Sequence, residues 1–482
     1  MGLEAQNGQV VASYEISLDL DKPHLLQVQM KVQLKSAEFL MSSGADHLPK
    51  GWATFIDDFT AEDAKGNPLA VKERKNGTWK IKEGENQWVD INYTYRLEHM
   101  NQQWSGGVDG VAYSTDWGNF YAGRTLFVFQ DGQHGPVDLK FNIPPHWKIT
   151  HPWVNVKGNE VLYRAKDVED LSQSMFFIGT HEEMTFEREG FELVFALGGD
   201  EVISNRDSYG RLAEGVLDYY VKLFEGLPKP PANRNFKKSV VIINDADFTD
   251  GEVIGNNISI LVTKGGDATS KMLANFIFAH EFFHLWNGKS FMPEDLKTEW
   301  FKEGFSNFYT LKALRQMNIL DDESFFEILD SLFYQRYRND DGLGDVAMVE
   351  GDRKHDHWGL IYAGGLFTAI SQDAIIRRNT ENRHSVDDLM KEFYAAYSGT
   401  SKTYGLKEIK ENLSRLSGQN QSSFFDKYIQ GTEMIPLELY MAELALEPEI
   451  RDGGLIVHVP AEVSPMEAEM IQGFLGKLKE RE

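Results

Sequence analysis

Residues 280–284 read HEFFH, inside the longer stretch KMLANFIFAHEFFHLWNG. On an α-helix, positions i and i+4 lie on one face about one turn apart, so His280 and His284 can present two imidazoles to one ion. Glu281 is rotated from His280 by about 100°, which aims it at a water on that ion rather than at the ion itself. A catalytic zinc site takes three protein ligands and keeps one tetrahedral corner for water, so a third ligand is needed. Glu303, in TEWFKEGFSNFYTLKAL, is the candidate, 19 positions after His284 on a second predicted helix. Phe278, Phe282, Phe283 and Leu285 surround the first motif, and Trp300, Phe301, Phe305, Phe308 and Leu311 surround the second. Ionisable groups in such apolar surroundings are costly unless they are satisfied. The plainer alternative is a pair of hydrogen-bonded core histidines. Asn307, one turn beyond Glu303, is either a hydrogen-bond partner for the free ring nitrogen of a ligating histidine or an ordinary polar helix residue.

Two kinds of element must position these groups. In the first ~180 residues apolar side chains alternate with polar ones: Tyr14, Ile16, Leu18 and Leu20; Leu26, Val28, Met30, Val32 and Leu34; Val89, Ile91, Tyr93 and Tyr95. This period of two predicts half-buried antiparallel strands, and Asn76-Gly77 predicts a hairpin. From about residue 205 the texture changes. Residues 207–224 have helical spacing, the proline-rich 227–235 reads as a linker or turn, and 237–244 and 256–263 read as strands. Helices are expected over about 267–287, with Asp267, Thr269 and Ser270 as candidate N-caps, over 298–318 and 322–338, and through most of 359–440. In the tail, GLIVHVP is strand-like. Ser464-Pro465-Met466-Glu467 has the form of a capping box with proline at the first helical position.

Composition removes several functions. A formal net charge of −25 argues against a general nucleic-acid or anionic-membrane binder. There is no cysteine, which excludes disulfides, thiolate metal sites and a thiol nucleophile, so a metal must be held by His, Asp or Glu. No run approaches 18 apolar residues, so no membrane span is expected. The start, MGLEAQNGQ, lacks the basic and apolar segments of a signal peptide. That leaves the compartment open between the cytoplasm and, if a leader has been removed, the periplasm or exterior.

The motif HExxH, the gap of 18 residues and a Glu in an EGFxxxY setting resemble the gluzincin metallopeptidases. HEFFHLWN and WFKEGFSNFYTLKAL are most similar to the glycyl aminopeptidase family within that group. YAGGLFTAISQDAIIRR (362–378) and FFDKYIQGTEMIPLE (424–438) extend the likeness, which runs from about residue 200 to 440 with a weaker match before it. The resemblance implies an α+β chain: a β-rich N-terminal domain (1–185), a thermolysin-like zinc catalytic domain (186–325) and a helical C-terminal domain (326–450). A short strand-helix tail (451–482) follows, with about 40 residues after PLELY, too few for the PDZ domain of some relatives. It implies one zinc per chain held by His280, His284 and Glu303, Glu281 as general base, and Tyr362 as hydrogen-bond donor to a tetrahedral oxyanion. Without the family motif, Tyr362 reads as a core aromatic. His355 and His357 are alternative oxyanion donors or solvated loop residues, and the loop is preferred.

The sequence departs from the family where a carboxylate would capture a substrate's α-ammonium group. Relatives carry a Gly-Gly-Leu-Glu-His type segment there, whereas this chain reads DGEVIGNNISILVT (250–263). With Ser259 aligned to the family serine, Gly255 and Asn256 stand where Glu and His are expected, and Glu252 comes three residues early. These four are the candidate substrate-binding residues, and 256–263 is the candidate edge strand for pairing with a peptide backbone. The expected function is zinc-dependent peptide hydrolysis, as an aminopeptidase on small N-terminal residues (Gly or Ala). The alternatives are an endopeptidase or dipeptidase without the usual amino-terminus anchor, and a zinc-containing peptide-binding protein without turnover. Expected partners are peptide substrates. Side-chain specificity and oligomeric state are not readable from the sequence.

Overall fold

The computed structural model describes residues 10–476 except 83–86, 105–106, 109, 157, 230 and 232–236. The MGLEAQNGQ start, and residues 230 and 232–235 of the predicted linker, lie outside the described residues. The chain is a mixed α+β protein. It forms two compact units, Met1–Arg206 with Arg234–Ser270 and Asp207–Asn233 with Lys271–Glu482.

In the first unit the alternating segments become sheet. Ala12–Leu18 pairs antiparallel with Leu25–Gln33, setting Tyr14 opposite Met30 and Ile16 opposite Val28. Trp88–Arg96 continues the same sheet and buries Val89, Ile91, Tyr93 and Tyr95. This register puts the alternating apolar side chains of the three strands on one face, Leu25 and Trp88 at the strand starts excepted, and a slip by one residue would expose them. Leu20 does not join them: the strand stops at Leu18, and Leu20 is exposed. The Asn76-Gly77 turn joins Val71–Glu73 to Trp79–Ile81, with Gly77 at φ 77°, a conformation glycine adopts at little cost.

A five-stranded sheet closes this unit, in the order Glu182–Arg188, Phe191–Gly198, Lys238–Ala246, Asn257–Thr263, Asp250–Ile254. Its three middle strands are parallel and almost continuously apolar, as strands covered on both faces are. The expectation of an edge strand at 256–263 is corrected here. Residues 257–263 pair on both sides, and the hairpin partner Asp250–Ile254 takes the edge.

The second unit is helical. Arg206–Phe224, Ala268–Phe283, Glu299–Gln316 and Gly364–Asn379 are its long helices, with Val386–Tyr397 and Leu406–Ser417 beside them. Residues 322–338 form one helical segment whose middle, Leu329–Tyr334, widens to π-helix. Glu299–Gln316 and Gly364–Asn379 cross closely. A Cβ added at Gly304 would lie 2.0 Å from the Gly365 carbonyl carbon, and one at Gly365 would lie 2.0 Å from the Trp300 carbonyl oxygen. Pro465–Leu475 opens with the expected capping box, Ser464 and Glu467 each bonding the other's backbone N–H. Gly359–Asn379 is long and apolar enough to cross a membrane by length and composition. Its most apolar 18-residue stretch is 94% buried in the protein, as in a core helix.

Candidate metal centre

The HEFFH segment ends the helix Ala268–Phe283, which Asp267 caps by accepting from the Ser270 N–H at 2.8 Å. The helix is held from both sides. Tyr220 Oη donates to the Ala279 carbonyl at 2.9 Å, and the Phe283 ring stacks on Tyr309 with centroids 5.1 Å apart. Tyr220→Phe removes that one buried hydrogen bond, for an expected loss of about 1 kcal/mol of unfolding free energy in a denaturant titration. The helix was expected to run to 287. It stops at Phe283, and His284 sits in the following turn, where Asn287 N–H still bonds the Phe283 carbonyl. The turn keeps the spacing of a helical i,i+4 pair, so His284 remains beside His280, the two rings edge to face with centroids 4.7 Å apart.

Three side-chain atoms converge. His280 Nε2 and His284 Nε2 are 3.1 Å apart, and Glu303 Oε2 lies 3.3 Å from the first and 3.2 Å from the second. All three residues are buried. His284 Nδ1 is 3.1 Å from the Asn287 carbonyl oxygen, which can only accept, so Nδ1 carries the proton and Nε2 presents its lone pair to the centre. Burial, ahead of the opposing pull of Glu303, holds the His284 pKa below its ordinary value and keeps the ring neutral. Burial pushes Glu303 the other way, but Lys302, Lys354 and the two histidines outweigh it and keep the carboxyl ionised.

This donor set fits a divalent cation. Ligand atoms about 2.0–2.1 Å from a tetrahedral zinc are about 3.3–3.4 Å from one another, close to the spacing found here. Two neutral imidazoles and a carboxylate are the ligand types such a cation takes. His280 Nδ1 is buried with no hydrogen-bond partner among the described residues, so its ring is fixed by packing, including a stack against Phe276.

Tyr362 lies in the π-helical turn Gly359–Ala363 that leads into Gly364–Asn379. π-Turns are frequent at functional sites. Its ring stacks on Trp358 (centroids 5.2 Å apart, 8° between planes) and is 6.5 Å from the His280 ring. Burial first, then the charges of Glu303, Glu281 and Glu299, pushes the phenol pKa well up against the opposing effect of Lys354. The phenol is therefore a hydrogen-bond donor throughout the neutral range.

Of the two readings of Asn307, the bond to a histidine ring is not formed among the described residues. Asn307 donates from Nδ2 to the Tyr362 carbonyl at 3.3 Å, tying the Glu303 helix to the Tyr362 turn, while the histidine contact falls to Asn287. His355 is exposed, as expected, but His357 is not a solvated loop residue. It is buried between Arg353, whose Nη2 lies 2.7 Å from Nε2, and Asp340, whose Oδ1 lies 2.9 Å from Nδ1. Gly342 leaves room for it, since a Cβ there would lie 2.7 Å from His357 Nδ1. Asp340, Asp341 and His357 form a second cluster of metal-ligating types. The arginine donates to Nε2, so Nδ1 carries the proton toward Asp340 and has no lone pair for a cation.

In the first unit, Glu252 is paired with Ser259 across the edge hairpin, and Gly255-Asn256 form its turn. Gly255 has φ 61°, and a Cβ there would meet the Gln173 carbonyl oxygen at 2.5 Å. A glutamate at this position would need the backbone to move. The Asn256 side chain is bound to the Lys238 carbonyl, and the Ser259 hydroxyl is fully buried.

The residues that sequence reasoning missed are Asn287, Glu299, Lys302 and Lys354. Asn287 had a signal, the Asn-Gly turn directly after the motif. Lys354 had none, because its partners Glu299 and Glu303 lie more than 50 positions away.

Residues 13–180 match the family model for the peptidase M61 N-terminal domain, and residues 274–363 match that for M61 glycyl aminopeptidase. A curated relative, probable aminopeptidase 1 of Sulfurisphaera tokodaii, is 22% identical over 163 residues, which is 33% of this chain and 20% of that protein. The matched region thus spans about a fifth of the relative's length. A crystal structure of an aminopeptidase N family protein from Idiomarina loihiensis superimposes with a TM-score of 0.77 at 18% identity, covering 95% of this chain and 82% of that one. Aminopeptidase A of Legionella pneumophila, solved with aspartic acid, gives 0.52 at 12% identity over 88% of this chain and 49% of that one. At these identities the two structures establish likeness of fold. With both domain models matched in family order, the second of them across the HEFFH and Glu303 segments, the chain belongs to the M61 glycyl aminopeptidase family of peptidases.

Proposed function

We propose that this chain hydrolyses peptide bonds with one zinc ion held by His280, His284 and Glu303, as an aminopeptidase on small N-terminal residues such as Gly and Ala. The observation that carries the reading is the convergence of two imidazole Nε2 atoms and one carboxylate oxygen at 3.1–3.3 Å, with the Tyr362 ring 6.5 Å from that of His280. A zinc ion bound there supplies Lewis acidity, making a bound water acidic near neutral pH and polarising a carbonyl. Cobalt or manganese also suits a His/Glu site, so metal analysis is part of the test.

The chain's own groups do the rest. Glu281 accepts a proton from the attacking water at its carboxylate and returns it to the leaving amine. Tyr362 Oη donates a hydrogen bond to the oxygen on which negative charge develops. Asn287 holds the His284 ring in the tautomer that points Nε2 inward, and Asn307 holds the Tyr362 turn. Glu252, the carboxylate on the edge strand, is the candidate for the substrate's α-ammonium group, with Ser259 opposite it and the Gly255-Asn256 turn beside it.

A second reading, an endopeptidase or dipeptidase, is favoured by the turn at Gly255. The place where relatives carry the anchoring glutamate has no space for a side chain. Gly- and Ala-p-nitroanilide assayed beside N-acetylated peptides separate the two, with zinc counted in the same preparation. Cleavage of free-amine substrates alone supports the aminopeptidase. Cleavage of blocked peptides supports the alternative, and binding without any cleavage defeats both. Tyr362→Phe is expected to lower kcat about 10²-fold with unchanged zinc content. An unchanged kcat would return Tyr362 to a packing role.

A further inference from the structure

Glu303 divides its two oxygens between two sets of partners. Oε2 faces the histidine nitrogens at 3.2–3.3 Å. Oε1 faces away from them, 3.0 Å from Lys354 Nζ and 3.2 Å from Lys302 Nζ. The same two ammonium groups converge on Glu299: Lys302 donates to both its oxygens at 2.8 Å, and Lys354 to Oε2 at 2.7 Å. Glu299 is 2% exposed and Glu303 3%. Two acids and two bases thus alternate in a closed, electrically neutral ring, one corner of which is a metal-ligating carboxylate.

Neutralising Glu303 requires only one lysine. Two lysines on one oxygen, both tied to a second carboxylate, also fix which oxygen is free. An unrestrained carboxylate can bind a cation through both oxygens and fill a further coordination position. A hydrolytic site needs such a position open for water or substrate. We propose that Lys302 and Lys354, bridged by Glu299, are positioning residues that restrict Glu303 to ligation through Oε2 alone, an inference resting on the metal-site reading above. Lys354 is carried on the segment that leads to Tyr362, and its Nζ is 5.8 Å from that ring's centroid. The restraint on the ligand and the placement of the phenol therefore share one stretch of chain.

Loss of a positive charge near a cation favours cation binding whatever the geometry, so affinity alone does not test the idea. The number of Glu303 oxygens on the cation does. The experiment is the crystal structure of the full chain loaded with zinc, for the wild type, Lys354→Met and Lys354→Arg, with zinc stoichiometry and thermal unfolding of each metal-free protein. The wild type is expected to show one Glu303 oxygen at about 2.0–2.2 Å from zinc. Lys354→Met, which leaves Oε1 with the 3.2 Å contact from Lys302 alone, gains the second oxygen, and Lys354→Arg, which keeps both donors to Oε1, retains one. Two Glu303 oxygens on zinc in the wild type overturn the proposal and leave the metal reading intact. Unchanged coordination in Lys354→Met also overturns it. A wild type that takes up no zinc at these residues overturns both. Where Lys354→Met does not fold, the wild-type coordination decides, and Lys302→Met repeats the substitution from the other side of the ring.

Discussion

Glu281→Gln is expected to keep its metal and lose about 10²–10⁴-fold in kcat, the usual contribution of a positioned general acid–base. The substitution preserves size and polarity but leaves no group that can take a proton. Glu281 lies on the motif helix, one residue from His280, and its charge is felt at the Tyr362 phenol. It is absent from the converging set formed by His280, His284 and Glu303. Metal content should therefore stay at one ion per chain while turnover collapses. The measurement is kcat on Ala-p-nitroanilide beside metal analysis of the same sample. Wild-type turnover in this variant would remove the general-base role. Lost metal together with lost turnover would instead make Glu281 part of the ligand set or its support.

The contrast between the histidine pair and Glu303 shows what the sequence could carry. The approach of the two histidines to each other was legible from spacing alone, because a helical turn converts i and i+4 into a shared face. Glu303 was legible as a carboxylate on a second apolar helix, where an unpartnered charge would be too costly. The alternation of the N-terminal strands likewise gave their inward faces, apart from Leu20 beyond the end of its strand. What could not be read depends on chain segments that meet only after folding. Strand order within the five-stranded sheet is one case: 257–263 looks like any apolar strand, and only its neighbours make it interior. His357 is another. It reads as part of a charged loop, RKHDHW, and is buried because Asp340 and Gly342 arrive beside it. The charge ring around Glu303 is the third, since Lys354 belongs to a segment with no local pattern pointing to Glu299 or Glu303.

Gly304→Ala should cost both stability and activity without touching any of the site's polar groups. Gly304 follows Glu303 directly and lies where the helices Glu299–Gln316 and Gly364–Asn379 cross. The added methyl would sit 2.0 Å from the Gly365 carbonyl carbon, 2.3 Å from its Cα and 2.4 Å from Leu366 N. All three are backbone atoms, so no rotamer change relieves the contact. Reaching ordinary separation near 3.5 Å requires the helices to part by roughly 1.5 Å. Alanine's better helix propensity returns about 1 kcal/mol. Overpacking costs about 1–3 kcal/mol even where side chains can yield, so the net effect here is destabilising. The activity effect is larger. One helix carries Glu303 and the other continues from the turn that carries Tyr362, and a misplacement of about 1 Å between reacting groups can cost 10²-fold in rate. The expected result is a lower Tm with kcat/KM reduced about 10²-fold at full metal occupancy. Gly365→Ala acts on the same crossing, so the double variant should fall short of the sum of the singles. An alanine at 304 that leaves both Tm and kcat/KM unchanged would mean that the spacing of these two helices does not set the distance from the carboxylate ligand to the phenol.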